Sequence, residues 1–267
     1  MLKNSYQTIT TLGLALGIGF GSIAGADEGS SEHPSKDLPT HAQLQTALKK
    51  VVAAGGNSGF ALNMWATLVT RDGVVSSVAF SGTDRGDQWP GSRVISAQKA
   101  NTANAFSLPG LPLSTANLYS AVQPGGTLFG LQESNPVDTG AAYKGPSANY
   151  GKPNDPLVGQ KIGGINVFGG GLALYNKNGK LVGAIGVSGD TSCTDHVVAW
   201  KVRHALNLDN VPSGVSSTGD DNMVHDIAPD AQGHPMSSSG WGHPVCGVDE
   251  AAIVAALPTT HPVGPKP

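Results

Sequence analysis

Residues 171–196 read GLALYNKNGKLVGAIGVSGDTSCTDH, and the fold follows from how this stretch divides. GLALY and LVGAIGV are two apolar, β-rich arms around NKNGK, and Asn178-Gly179 is the dipeptide that two-residue hairpin turns favour, because both central residues need positive φ. The second arm stops at Ser188-Gly189-Asp190, and DHVVAWKVRHAL (195–206) has helical spacing. The unit is therefore a hairpin feeding a helix. One of the chain's two cysteines, Cys193, stands at the joint. Ser192 and Asp195 have the spacing of a capping box, with Asp195 in place of the usual Glu or Gln. The free amides of the turn and the helix N-terminus also suit an anion, which makes Ser188 and Gly189 candidate ligand contacts, although Asp190 and Asp195 oppose a further negative charge.

The same hairpin-and-helix grammar occurs upstream. Thr40 is placed to cap a helix through THAQLQTALKKVVAAGG, and Gly55-Gly56 stop it. MWATLVTRDGVVSSVAF (64–80) is a hairpin around Asp72-Gly73. SRVISAQKANTANAF (92–106) is alanine-rich and helical, Pro109 and Pro112 break it, and LSTANLYSAV follows as a shorter helix. Residues 125–170 are rich in Gly, Pro, Asn and Ser with little periodicity, a loop length that in compact domains tends to carry function. From Leu208 to Pro267 the chain alternates glycine, proline and polar residues and reads as an extended tail. Helix-hairpin-helix followed by hairpin-helix is an α+β order.

Composition narrows the partners. The chain of 267 residues opens with MLKNSYQTITTLGLALGIGFGSIAGADEG, in which Lys3 precedes the apolar run Leu12 to Ile23 and Ala24-Gly25-Ala26 offers small residues for cleavage. This is the layout of a secretory signal peptide over 1–26, with an apolar core shorter than the roughly 20 residues of a membrane span. A flexible leader over 27–39 is expected next. Without Lys3 the chain carries 15 basic residues (16 less 1) against 19 acidic ones. No basic cluster is present, so nucleic acid and anionic membrane are not expected partners. In an oxidising compartment Cys193 and Cys246 most simply form a disulfide that pins the tail, the alternative being a Cys-Cys-His metal or heme-thiolate site.

Lys99 shares a helix face with Ile95, Thr102, Ala103 and Phe106. That spacing fits a lysine snorkelling to a rim, and equally a partly desolvated amine whose lowered pKa suits it to pair with a carboxylate or act as a base. Arg85 and Arg93 flank DQWPGS and can clamp a carboxylate beside Trp89. His196 and His204 are two turns apart, too far for a helical zinc pair, but either can serve alone as an axial iron ligand. His33, His41, His225, His234, His243 and His261 read as solvated. The sequence holds no Gly-x-Ser-x-Gly elbow, His-Glu-x-x-His, Walker or dinucleotide motif.

AQKANTANAF, GGTLFG and GLALYNKNGKLVGAIGVSGD with Asp195 and Val198-Ala199 after it resemble the GlcG/HbpS heme-binding proteins over about residues 40–207. The resemblance implies a profilin-like, three-layer α/β/α fold with a five-stranded antiparallel sheet, assembly as a homo-oligomer, and heme as the tentative cofactor. It places Lys99 and Thr102 in the family's KA-x-TA motif and puts Ser114 and Thr115 near the helix break, where a threonine can meet the iron. The insert 132–164 and the tail 208–267 depart from the pattern. The candidate ligand-binding set is thus Arg93, Lys99, Thr102, Phe106, Ser114, Thr115, Ser188, Gly189 and His196. Three functions compete: an exported heme or tetrapyrrole binder serving sequestration, transport or sensing; an enzyme acting on a small organic acid or carbonyl compound through Lys99 and Asp195; and an assembly module built on the pinned tail.

Overall fold

A computed structural model describes residues 36–247 and 249–264; the expected signal peptide, most of the leader, and His33 lie outside them. Helix α1 (His41–Ala54) begins as its sequence predicts. Thr40 accepts a hydrogen bond from the Gln43 amide while Gln43 reaches back to the Thr40 amide, closing a capping box. Strands β1 (Trp65–Thr70) and β2 (Val75–Phe80) form the first hairpin, with Gly73 at φ 78° in its turn. Helix α2 (Ser92–Phe106) has the bounds read from sequence. In place of the one shorter helix expected at LSTANLYSAV, a 3-10 turn (Thr115–Leu118) runs into the single-turn helix α3 (Tyr119–Val122), and the single-turn helices α4 (Leu131–Ser134) and α5 (Thr139–Ala142) lie in the long loop region. Strands β3 (Gly171–Tyr175) and β4 (Leu181–Ser188) form the second hairpin and lead into α6 (Ser192–Ala205).

Among the described residues the central sheet has four strands in the order β2-β1-β4-β3, all neighbours antiparallel, and not the five that the resemblance implies. Both faces are covered, which is why all four strands are buried along their whole length and lack a polar side. Alternation along β1 assigns the faces. Ala66 and Leu68 join the core under α1 and α6 with Leu44, Leu48, Ile185, Val187 and Trp200. Trp65 and Val69 join Val94, Ala97, Ala100 and Ala184 beneath α2. The sandwich is α/β/α, the layered mixed fold that the sequence indicates.

The region beyond Leu208 corrects the expectation of an extended tail. It forms a small ribbon, β5 (Ile227–Pro229) with β6 (Pro235–Ser237), and then helix α7 (Glu250–Thr260). Val254 and Leu257 of α7 are buried in the same core as Val197 and Trp200, and the Trp200 indole donates to the His261 carbonyl at 2.8 Å. The alanine-rich run EAAIVAAL within that tail is made of good helix formers. The predicted staple is present: Cys193 and Cys246 are bridged, with Cα atoms 5.9 Å apart.

Helix α2 lies unusually close to the sheet, and one glycine permits it. A methyl group on Gly186 would collide with the Ser96 carbonyl and the Ala100 amide nitrogen, both backbone atoms of α2. Backbone cannot rotate away, so the helix has to lift. Gly186→Ala should lower unfolding free energy by about 3 kcal/mol in urea titration, and a change below about 0.5 kcal/mol would show that α2 does not sit where described.

Candidate functional site

The close approach of α2 carries Lys99 into the interior. Its side chain has no solvent exposure. Nζ donates to Asp195 Oδ2 at 2.6 Å and to the Val187 carbonyl at 3.1 Å. Asp195 is one helical turn into α6, and its Oδ1 accepts the amides of Gly189 at 3.0 Å and Asp190 at 2.9 Å. One carboxylate thus ties α2, the end of β4 and the β4–α6 turn together. Burial pushes the Lys99 amine below its ordinary range and raises the Asp195 carboxyl to about 6, while the attraction between the two opposes both shifts. Because the folded carboxyl binds its proton more tightly than the unfolded one, its contribution to stability is present below about pH 4 and is lost as pH rises through about 6.

Asp195 is therefore a buried structural partner and not the reciprocal member of a capping box begun by Ser192, as spacing suggests. Thr191 is the N-cap, accepting from the Thr194 amide at 3.1 Å. The turn is also not a free anion site. Its amides at Gly189 and Asp190 are taken by Asp195, and that of Thr191 by Asp190 Oδ1 at 2.7 Å. Asp190 further accepts the amides of Phe60 and Leu62, holding the loop in which Ser58 and Ala61 adopt positive φ.

Above the Lys99–Asp195 pair lies Phe168-Gly169-Gly170-Gly171, the glycine run that sequence reasoning left without a role. Phe168 is 50% exposed and its ring centroid is 6.0 Å from Lys99 Nζ. A methyl on Gly169 would meet the Ser192 carbonyl and Met223, and one on Gly171 would meet Thr115 and the Lys99 carbonyl. The run has no side chains because two helices and the tail converge on it. Thr115 binds it on the far side, donating to the Phe168 carbonyl and accepting the Gly171 amide at 3.0 Å. The amine is fully buried beneath one aromatic ring and lines neither of the two clefts described. The two clefts described lie elsewhere: one of about 710 Å³ between residues 36–39, α1 and residues 205–208, the other of about 370 Å³ between the 55–62 loop, Asp190 and the start of α7.

The other predicted residues divide. Thr102 donates to the Gln98 carbonyl and accepts the Asn166 amide at 3.0 Å, and half-buried Phe106 packs on a satellite apolar cluster with Leu113, Leu118, Tyr119 and Trp241. Ser114 caps the 3-10 turn through Asn117. Ser188 is buried, opposite Trp65 in the sheet register. Arg93 is not a surface clamp. It is buried, chelated by Asp155 from the insert, bonded to the Ala142 carbonyl at 2.8 Å, and stacked 3.6 Å from the Tyr150 ring centroid. Arg85 stays exposed beside Asp84.

The histidines correct the sequence reading most. His243 is only 3% exposed, with its Nε2 2.8 Å from Ser192 Oγ and Nδ1 2.7 Å from the Pro244 carbonyl; burial lowers its pKa to about 4. His41 is half-buried against the Gly151 carbonyl, while His234 is exposed. His196 is buried, and its pKa is driven down to about 3 chiefly by desolvation. His196 Nε2 lies 3.1 Å from Asn222 Oδ1 and 3.2 Å from the donating Met223 amide, and its Nδ1 is buried without a hydrogen-bond partner among the described residues. In His225 the protonation is set by one contact: Nδ1 faces the His243 carbonyl at 3.1 Å and must carry the proton, so its buried Nε2 is a bare lone pair. An imidazole oriented by a backbone carbonyl, with its other nitrogen free, is how iron- and zinc-binding histidines are held.

Residues 40–203, more than half of the chain, match the family model described as haem degrading protein HbpS-like. The chain belongs to the HbpS-like family. Similar solved structures include protein ORFY of Klebsiella pneumoniae (24% identity, 64% of this chain and 94% of that one, TM-score 0.44). The PduOC:heme complex (23%, 64% and 96%, 0.44) and a double mutant of Streptomyces reticuli HbpS (16%, 74% and 99%, 0.40) are also similar. No curated protein matches. Among the described residues no helix is long and apolar enough to cross a membrane.

Removing one partner of a sealed ion pair strands the other. Lys99→Met should cost about 3–5 kcal/mol of stability. The double variant Lys99→Met, Asp195→Asn keeps an acceptor for the Gly189 and Asp190 amides and should regain most of that loss in denaturant titration; equal losses in single and double variants would refute the pairing.

Proposed function

We propose that the chain is a heme-binding protein, with heme iron held by His225. Family membership over residues 40–203 carries the ligand class; the bare, carbonyl-oriented Nε2 of His225 supports the choice of ligand. The aromatic side chains that a flat, apolar macrocycle would pack on are reached through His243, whose ring lies 6.4 Å from that of His225. Tyr119 packs 5.1 Å from the His243 ring, and Val224, next to His225, bridges to Gly242 beside Trp241. Phe106, Tyr119 and Trp241 are all partly exposed on one apolar cluster. When bound, heme would supply iron-centred redox or ligand chemistry; the chain's own part is to present an imidazole, an aromatic wall and a cover of low polarity. Lys99 and Arg93 have no role as propionate clamps in this reading, because Asp195 and Asp155 already neutralise them. Thr115 has none as an iron ligand, because Phe168 and Gly171 occupy its hydroxyl. The reading further takes the protein as exported and homo-oligomeric, acting in sequestration, transport or sensing.

A second reading, an enzyme moving a proton on a small acid or carbonyl compound, is favoured by the opposed pKa shifts of Lys99 and Asp195. It requires the Phe168 ring to swing aside. Resistance of Lys99 to an amine-acylating reagent in the native protein would contradict it.

Hemin added to the purified chain should give a shifted Soret band saturating at one equivalent, and His225→Ala should return that band towards the spectrum of free hemin while leaving the far-ultraviolet circular dichroism unchanged. A wild-type spectrum equal to that of free hemin refutes heme binding; an unchanged His225→Ala complex refutes the ligand assignment alone.

A further inference from the structure

The disulfide corner holds a third potential ligand. One sulfur each from Cys193 and Cys246 and one ring nitrogen of His243 all lie within 4.8 Å of one another. Tetrahedral zinc with Zn–S near 2.3 Å and Zn–N near 2.0–2.1 Å brings its ligands into this range of mutual separation. As long as the bridge is closed both sulfurs are spent on each other. We propose that reduction of Cys193–Cys246 creates a cation site of the Cys2His type, selective for a thiophilic, tetrahedral ion such as Zn²⁺, with the fourth position open.

Three features support this beyond proximity. First, Cys246 is a partly exposed residue although Cys193 is fully buried, so the bridge lies at the edge of the interior and not deep within it. Second, opening the bridge does not release the chain that carries Cys246. The His243 amide donates to the Val224 carbonyl at 2.8 Å, Ser120 Oγ donates to the Gly242 carbonyl at 2.6 Å, and Asn222 anchors the Val254 carbonyl of α7 at 2.8 Å. Val254 and Leu257 stay in the core. The two thiols therefore remain neighbours, on either side of an imidazole that is already ordered. Third, taking the imidazole costs one contact only: the Ser192 hydroxyl if Nε2 binds, the Pro244 carbonyl if Nδ1 binds. The chemistry balances with a phosphine or dithiol as reductant. The reductant is oxidised by two electrons, the S–S bond becomes two thiols, and the ion takes both as thiolates, releasing two protons.

The proposal is independent of heme binding, and thiolate absorption tells the two apart. Full-length protein, reduced with a phosphine and freed of it without air, should bind one Co²⁺ per chain with thiolate-to-cobalt charge-transfer absorption and the intense visible bands of tetrahedral cobalt, and Zn²⁺ should bleach both. Oxidised protein should show neither. His243→Ala, which keeps both cysteines, should weaken binding and lose the tetrahedral bands. Any of three outcomes overturns the proposal: a reduced, folded chain without charge-transfer absorption; the same spectrum from oxidised protein; or a reduced chain that loses its helical circular dichroism and does not regain it with metal.

Discussion

One buried ion pair organises this molecule. An ammonium group cannot be left alone in an apolar interior, so α2 can dock on the sheet only in the register that hands Lys99 to Asp195. Asp195 in turn consumes the two amides that would otherwise be orphaned where β4 ends. The glycines follow from the same constraint. Gly186 lets the α2 backbone descend onto the sheet, and the 169–171 run lets the cover close over the amine. Strand, turn, helix and cover are thus fixed by a single charge that has to be satisfied.

The two segments that depart from the resemblance are attached by the same device. Arg93, six residues before Lys99 on α2, is chelated by Asp155 of the insert, and Asp155 also accepts the amides of Gly151 and Leu157. Arg203 near the end of α6 is paired in the interior with Asp221 of the tail at 2.6 Å and bonds the Ala173 carbonyl at 3.0 Å. Buried ion pairs add little net stability over apolar replacements, because desolvation offsets most of the attraction. Their consistent use here between a core helix and an added segment argues for register: each allows one seating of the segment and penalises the others. The disulfide, the His196–Asn222 contact and the Trp200 indole then hold the tail across α6, which is how His243 from the far end of the sequence comes to meet Ser192 at the start of that helix.

Much of the frame was legible from residue order because its signals are local. Asp72-Gly73 and Asn178-Gly179 specify turns, Thr40 and Gln43 specify a cap, and the bounds of α2 follow from alanine content and the prolines after it. The site was legible only in part. The face of α2 containing Lys99 was readable, and so was the disulfide; the capping box of Ser192 with Asp195 was not correct, since Thr191 is the cap and the partners of Asp195 are an amine 96 positions away and two amides behind it. Arg93 looked free because Asp155 is 62 positions distant. His243 and His225 looked solvated because the tail has no strong periodicity, and nothing local says that α7 buries Val254 and Leu257. Failure was concentrated where a polar side chain is satisfied by a remote one, the relation that spacing rules do not encode. The run Gly169-Gly170-Gly171 was the signal available and unused, since side chains are absent where backbones converge.

The most direct measurement is the exchange of the Lys99 ammonium protons with water, followed by nitrogen-15 NMR and assigned through Lys99→Met. Sealed beneath Phe168 and bonded to Asp195 and Val187, Lys99 should give a slowly exchanging side-chain signal near neutral pH, while exposed Lys180 exchanges too fast to be seen. If Lys99 exchanges as fast as Lys180, the pair is open to solvent and this account of the fold is wrong.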